Sequence, residues 1–213
     1  MLFDLWAEPE GEAYLKEILE GAACPWEVLA GLDRLAQLLP EGITMADGVN
    51  IDGAHVLAQR VFLDRGAVLE PGAVLLGQGI YLGPGAVARA GAYLRGPVYV
   101  GAGGVVGHAT EAKRALFFPN ARAPHFNYVG DSVLGWEVNL GAGTKLSNLR
   151  LDEREIKATW SGRRRPTGLT KLGALLGDGC SLGCNTVTNP GTVLAPLTRV
   201  PPLTVVGGGR LPT

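Results

Sequence analysis

The stretch from His125 to Leu149, "HFNYVGDSVLGWEVNLGAGTKLSNL", places a histidine, a tyrosine and three asparagines among aliphatic-glycine steps. His125 is followed by Tyr128, Asn139 and Asn148. An imidazole titrates near neutrality, so it can take a proton from an amine during acyl transfer. Asparagine amides can hold a sugar or steady a reacting nitrogen. They can also simply cap turns, because Asn bonds its own backbone readily. A lone histidine is more often structural than catalytic; the three polar partners that follow it shift the reading toward chemistry. Upstream, Arg95 in "YLRGP" and Lys113 in "TEAK" offer a guanidinium and an ammonium, a reasonable clamp for phosphate. Solvated surface charge is the plain alternative for both.

These residues need a scaffold, and the chain supplies a repeat. From residue 56 apolar pairs recur every six residues: Val74/Leu76, Ile80/Leu82, Ala86/Ala88, Ala92/Leu94 and Val98/Val100. Turn residues such as "PGA", "GPGA" and "GAG" separate them. A short strand and a turn every six residues predict an all-β solenoid whose rungs stack their inward side chains. A second series in another phase contains Leu134, Leu140, Leu146, Leu176, Leu182, Leu194 and Val200. The segment 109–124 reads as a break between the phases, and about 149–171 as a protruding polar loop. Residues 1–42 differ: "EGEAYLKEILEGA" and "PWEVLAGLDRLAQLLPEG" predict two short helices, a helical clasp on a β-helix spanning 43–213.

Composition narrows the function classes. The 213 residues are 46% apolar and 18% charged, enough apolar material for a core. A net charge of −1 argues against a general electrostatic nucleic-acid binder. There is no apolar run long enough for a membrane span, and no basic leader at the N-terminus, so a cytoplasmic location is expected. Cys24, Cys180 and Cys184 form no disulfide framework. Two thiols four apart with no nearby histidine fall short of a zinc site, and no metal is expected.

The repeat resembles the hexapeptide-repeat, left-handed parallel β-helix acyltransferases. The second half, "APHFNYVGDSVLGWEVNLGAGTKLSNLRLDEREIK" and "TGLTKLGALLGDGCSLGCNT", resembles the acetyltransferase half of the archaeal-type bifunctional sugar-1-phosphate nucleotidylyltransferase/glucosamine-1-phosphate N-acetyltransferases. The nucleotidylyltransferase loop of that family has no counterpart before residue 50. The resemblance implies acetyl-CoA as co-substrate and an amino-sugar phosphate as acceptor. It implies His125 as the base, and Asn139 beside it steadying the amine. Arg95, Lys113, Tyr128 and Asn148 would hold the acceptor, with Lys157 and, at a position usually lysine, Arg154. Ala142 and Cys184 match positions beside the acetyl donor. Arg163, Arg164 and Arg165 form a basic run on the polar loop, either solvated or beside a phosphate. The three histidines, His55, His108 and His125, do not match the spacing of the hexapeptide-repeat carbonic anhydrases. "LRGP" where the family has "LRP" would shift Arg95.

An alternative function is a non-catalytic trimeric β-helix that binds a sugar nucleotide or scaffolds a partner enzyme. Either way a homotrimer is expected. With inward pairs as above, the outward residues are Leu57, Leu63, Leu69, Leu75, Tyr81, Val87, Tyr93, Tyr99 and Val105. Such apolar faces need cover. Neighbouring copies would cover two faces, and the helices, through Trp26, Leu29 and Leu35, the third.

Overall fold

The computed structural model of the chain describes residues 4–8 and 11–207. It is a parallel β-solenoid of about nine turns, consistent with the left-handed β-helix that the resemblance implies. The expected C-terminal segment is described through Gly207; residues 208–213 lie outside the described residues.

Each coil has three faces. Strands of the first and second faces run continuously around one bend, as in Tyr93–Val100, Glu111–Phe117 and Tyr128–Leu134. The third face is a separate parallel sheet that includes Val87–Ala88, Val105–His108, Arg122–His125, Asn139–Leu140 and Ser181–Leu182. The interior mixes large and small side chains, such as Leu94, Val98 and Phe117 with Ala86, Ala92 and Ala112. A narrow prism accepts a bulky residue where its neighbours are small.

The coils are not all of one length, and this corrects the sequence reading. His55 pairs with Val74 and Val74 with Tyr93, a step of 19 residues. Tyr81 pairs with Tyr99, a step of 18, and Glu111 with Tyr128, a step of 17. The difference lies at the bend between the first and second faces. Three residues (77–79) turn it in one coil, two (96–97) in the next, then Arg114 alone and Asp131 alone. A single-residue change of register swaps inside for outside. Leu63, Leu69 and Leu75 therefore point into the core, not out as expected. Phe62, Val68 and Val74 stand in register with Tyr81, Val87 and Tyr93 instead. His55, not Leu57, heads the Val74–Tyr93 column.

The segment 109–124 is not a break either. Glu111–Phe117 and Arg122–His125 continue the coils, with Ala112, Ala115, Phe117, Ala121 and Ala123 buried inside. Its charged residues hid its phase, because Lys113 and Arg114 sit at the bend. The polar loop, by contrast, stands where it was expected. Leu149 and Lys171 pair across its neck, and its body is an antiparallel hairpin, Lys157–Trp160 with Arg163–Pro166.

The N-terminal segment forms α1 (Ala13–Leu19), a 3-10 turn (Pro25–Glu27), α2 (Val28–Asp33) and α3 (Leu35–Leu38). Pro25 opens the 3-10 turn, where its missing N–H costs nothing. Glu27 reaches back to accept from the Ala23 and Cys24 N–H groups. Leu15, Ile18, Trp26, Leu29 and Leu32 bury against the second face, where Tyr81, Tyr99, Leu116, Val133 and Leu175 form an outward ladder. Ile156 and Ala158 of the hairpin join the same cluster. One face of the prism is thus covered from within the chain.

Candidate functional site

The first face carries the charged and phenolic residues. Tyr93, Glu111, Tyr128 and Lys145 stand in one column on successive coils. One step along, Arg95 pairs with Lys113, and Lys113 with Gly130. The additional Gly96 therefore leaves Arg95 in register and is absorbed at the bend. A Cβ there would run into the Gln78 carbonyl. Arg95 and Lys113 line a recess of about 210 Å³ with Leu76, Gly77 and Gly96.

Both cations already have partners. Arg95 donates to Glu111 at 2.8 Å, on the open surface. Lys113 lies 3.4 Å from Asp131, whose side chain is only 2% exposed. Asn148 reaches the same carboxylate, its Nδ2 donating to Asp131 Oδ2 at 2.5 Å. Tyr128 lies across Gly130: a Cβ on that glycine would meet the phenol oxygen at 2.5 Å and the Asn148 nitrogen at 2.8 Å. Burial, followed by the charges of Glu111 and Asp131, raises the Tyr128 pKa above the ordinary phenol value. At neutral pH Tyr128 is therefore a protonated donor. The structure brings together Arg95, Lys113, Tyr128 and Asn148, and adds Glu111 and Asp131, which the sequence reading did not single out.

His125 stands at the corner where the third face ends and the first begins. Its ring is exposed, and it is in register with His108 one coil away. Hydrogen bonds from Gly143 N–H to His125 O (3.0 Å) and from Asn185 N–H to Ala142 O (2.8 Å) continue this corner through Ala142 toward Cys184. His108 is pinned, its Nδ1 2.7 Å from Ala90 O, and Phe126 packs edge-on against it. What fixes the His125 corner is Asn127, which is 3% exposed. Its Oδ1 accepts the His125 N–H at 3.0 Å, and its Nδ2 donates to Gly141 O at 2.8 Å. Asn127 thus ties the His125 coil to the Ala142 coil. Its signal in the sequence is an Asn two residues after the histidine, in a turn.

The corner below His125 is lined by small residues and close backbone. Ala142 and Cys184 are small, and a Cβ on Gly141 would meet the Cys184 nitrogen at 2.5 Å. The N–H groups of Gly141 and Gly143 donate to Leu182 O and His125 O; that of Ala142, between them, has no acceptor among the described residues.

Three expected residues lie apart from the Tyr128 group. Asn139 faces out from the third face, on the other side of the His125 corner, in an open hollow of about 530 Å³ shared with Asn120, Arg122 and Glu137. Lys157 sits on the hairpin opposite Pro166, with its backbone beside Gly191. Arg154 is exposed, its N–H donating to Asp152. Arg163 and Arg164 are exposed on the same hairpin and Arg165 is half-buried. Cys180 is buried and donates to Ala195 O, whereas Cys184 is exposed. Among the described residues no helix is long and apolar enough to cross a membrane.

No protein-family profile matches the chain. Curated relatives do. The bifunctional sugar-1-phosphate nucleotidylyltransferase/acetyltransferase of Sulfurisphaera tokodaii is 40% identical over 101 residues, covering 47% of this chain and 25% of the relative. The bifunctional protein GlmU of Methanococcus maripaludis is 38% identical over 167 residues, covering 78% of this chain and 39% of the relative. The chain therefore spans between a quarter and two-fifths of the length of these relatives, and the match falls in their acetyltransferase half. Among solved structures, the acetyltransferase domain of PglB from Neisseria gonorrhoeae FA1090 in complex with acetyl coenzyme A aligns with 86% of this chain and 63% of that one. Its identity is 16% and its TM-score 0.28, too low to transfer any geometry.

Proposed function

We propose, on the premise of this homology, that the chain is an acetyl-CoA-dependent N-acetyltransferase whose acceptor is an amino-sugar phosphate of the glucosamine 1-phosphate type. The observation that supports it most is the grouping of Arg95, Lys113, Tyr128 and Asn148 on one face, next to the corner that bears His125.

Acetyl-CoA supplies the activated acyl carbon. The chain's residues do the rest. His125 takes the proton that the acceptor nitrogen loses as its bond to that carbon forms and the carbon–sulfur bond breaks. The Ala142 N–H is a free donor for the oxygen that gains charge. Tyr128 and Asn148 orient the sugar, and Arg95 and Lys113 receive its phosphate, which must compete with Glu111 and Asp131. Lys157 and Arg154 would extend the cationic rim. Asn139 and Cys184 complete the site if it forms between copies, because Asn139 looks away from Tyr128 within one chain. We expect a homotrimer, with the first and third faces buried between copies and the second already covered.

The test is release of free thiol from acetyl-CoA by the purified protein with glucosamine 1-phosphate. Turnover on that acceptor, and little on glucosamine, is the expected result. No release with any amino-sugar phosphate would favour the second reading, a non-catalytic β-helix that binds a sugar nucleotide or scaffolds an enzyme. The carboxylates already paired with Arg95 and Lys113 are the observation behind that reading. Light scattering should give the mass of three chains; a soluble monomer would remove the shared site.

A further inference from the structure

Asp131 turns the bend of its coil alone, with a left-handed backbone at φ 46°. Arg114 does the same one coil earlier, also at φ 46°. The two side chains meet under the edge of the first face, and the two oxygens of Asp131 look in opposite directions. Oδ2 faces the acceptor group, taking Asn148 Nδ2 at 2.5 Å and Lys113 Nζ at 3.4 Å. Oδ1 faces the helical cover, taking Arg114 Nη1 at 3.3 Å. Arg114 in turn holds Asp33, at the end of α2, with two parallel bonds of 2.7 and 2.6 Å.

We propose that Asp131 is a positioning residue that sets the orientation of the Asn148 amide and the Lys113 ammonium, and that the N-terminal helices act on it through the Asp33–Arg114 pair. The inference rests on the acetyl-transfer reading for its kinetic consequences, but not for its geometry. An ionised carboxylate only accepts, so it can bind only the NH₂ end of the Asn148 amide. That leaves Asn148 Oδ1 turned away from Asp131 as the acceptor offered to a ligand N–H. The bidentate pair with Asp33 fixes the planar Arg114 guanidinium, and its remaining nitrogen is thereby aimed at Asp131 by a single bond of 3.3 Å. Asp33 is half-exposed, and its side-chain bonds run to Arg114, which links it to Asp131.

Two measurements on the full chain test this. The first needs no turnover: the Asn148 side-chain amide signal in ¹⁵N NMR, assigned by its loss in Asn148→Asp. It should move in Asp131→Asn and, by a smaller amount, in Asp33→Asn. An unmoved signal in Asp131→Asn overturns the positioning role, and one unmoved in Asp33→Asn overturns the relay. The second is kinetic. Asp131→Asn should lower kcat/KM for the amino-sugar phosphate about 10- to 100-fold, as expected for losing hydrogen bonds to a charged group. Asp33→Asn should raise KM about threefold with kcat nearly unchanged, and should add nothing in an Arg114→Gln background, as a shared path requires. Full additivity would overturn the path. A wild-type protein without transferase activity would sink the acetyl-transfer reading alone, and the NMR comparison would still decide the relay.

Discussion

Two ladders of outward residues climb the same prism and end in opposite conditions. On the second face Tyr81 and Tyr99 stack with ring centroids 4.8 Å apart beneath the helices. Tyr81 donates to Asp64 and Tyr99 to Glu12. On the first face Tyr93, Glu111, Tyr128 and Lys145 climb coil by coil with no helical cover among the described residues. Backbone geometry does not separate the two, since both belong to one continuous sheet. The difference lies in which residues occupy the outward positions. Aromatic and aliphatic side chains recruit a lid, whereas the column of phenols and charges recruits none among the described residues. A solenoid repeat therefore dictates where side chains stand, and the outward residue type decides whether a face becomes core or site.

The comparison can be broken most severely by removing the lid. Deleting residues 1–42 should leave Tyr81, Tyr99, Leu116 and Val133 bare, and the protein should aggregate on expression at any concentration suitable for light scattering. A soluble, folded truncation would mean that the second face needs no cover. On the open side, His125→Ala should lower kcat about 10²- to 10⁴-fold, the usual contribution of a general base, with an unchanged circular dichroism spectrum. Near-normal turnover would remove His125 from the chemistry. Next in size, Arg95→Ala should raise KM for the phosphorylated acceptor about tenfold and barely change it for the unphosphorylated sugar, since contacts made equally in ground and transition states appear in KM. Its exposed pair with Glu111 should matter little to stability. An equal loss on both acceptors would make Arg95 structural.

The smallest effect sharpens the contrast through pH. Burial, with the nearby carboxylates, raises the pKa of Tyr81 and Tyr99 far above the ordinary phenol value. A raised folded pKa means that stability is intact below the unfolded value of about 10 and declines as pH climbs past it, because only the unfolded phenols ionise. The melting temperature should therefore fall between about pH 10 and 11, and Tyr99→Phe should flatten that fall. An identical slope in the variant would show that the covered ladder does not carry the alkaline sensitivity.

The strand-and-turn period, the helical start, the polar loop and the polar residues around His125 were legible because each is a local pattern. The direction of Leu63, Leu69 and Leu75 was not. A strict period of six assumes coils of constant length, and the bend varies from three residues to one. The same blind spot hid Asp131 and Asn127. Both lie within the stretch that carries His125, yet their side chains turn inward at corners, where alternation gives no direction. The only cue was a carboxylate and an amide in an otherwise aliphatic-glycine run. Asn139 was legible as a residue but not as a neighbour. Its distance from Tyr128 within one chain follows from the corner between them, which sequence spacing does not register.

The bend also bears on how such a molecule changes over time. Stretches 77–79 and 96–97, the single residues Arg114 and Asp131, and the whole polar loop all leave the prism at the same edge. Strands on either side keep their hydrogen-bonded partners whatever the length of the chain between them. Material can be gained or lost at this edge without displacing a rung, while a single insertion between Tyr128 and Gly130 would invert the face that holds Arg95, Lys113 and Tyr128. The prism behaves as a bound volume with a loose margin: the text of each page is fixed, and new leaves are sewn in along one side.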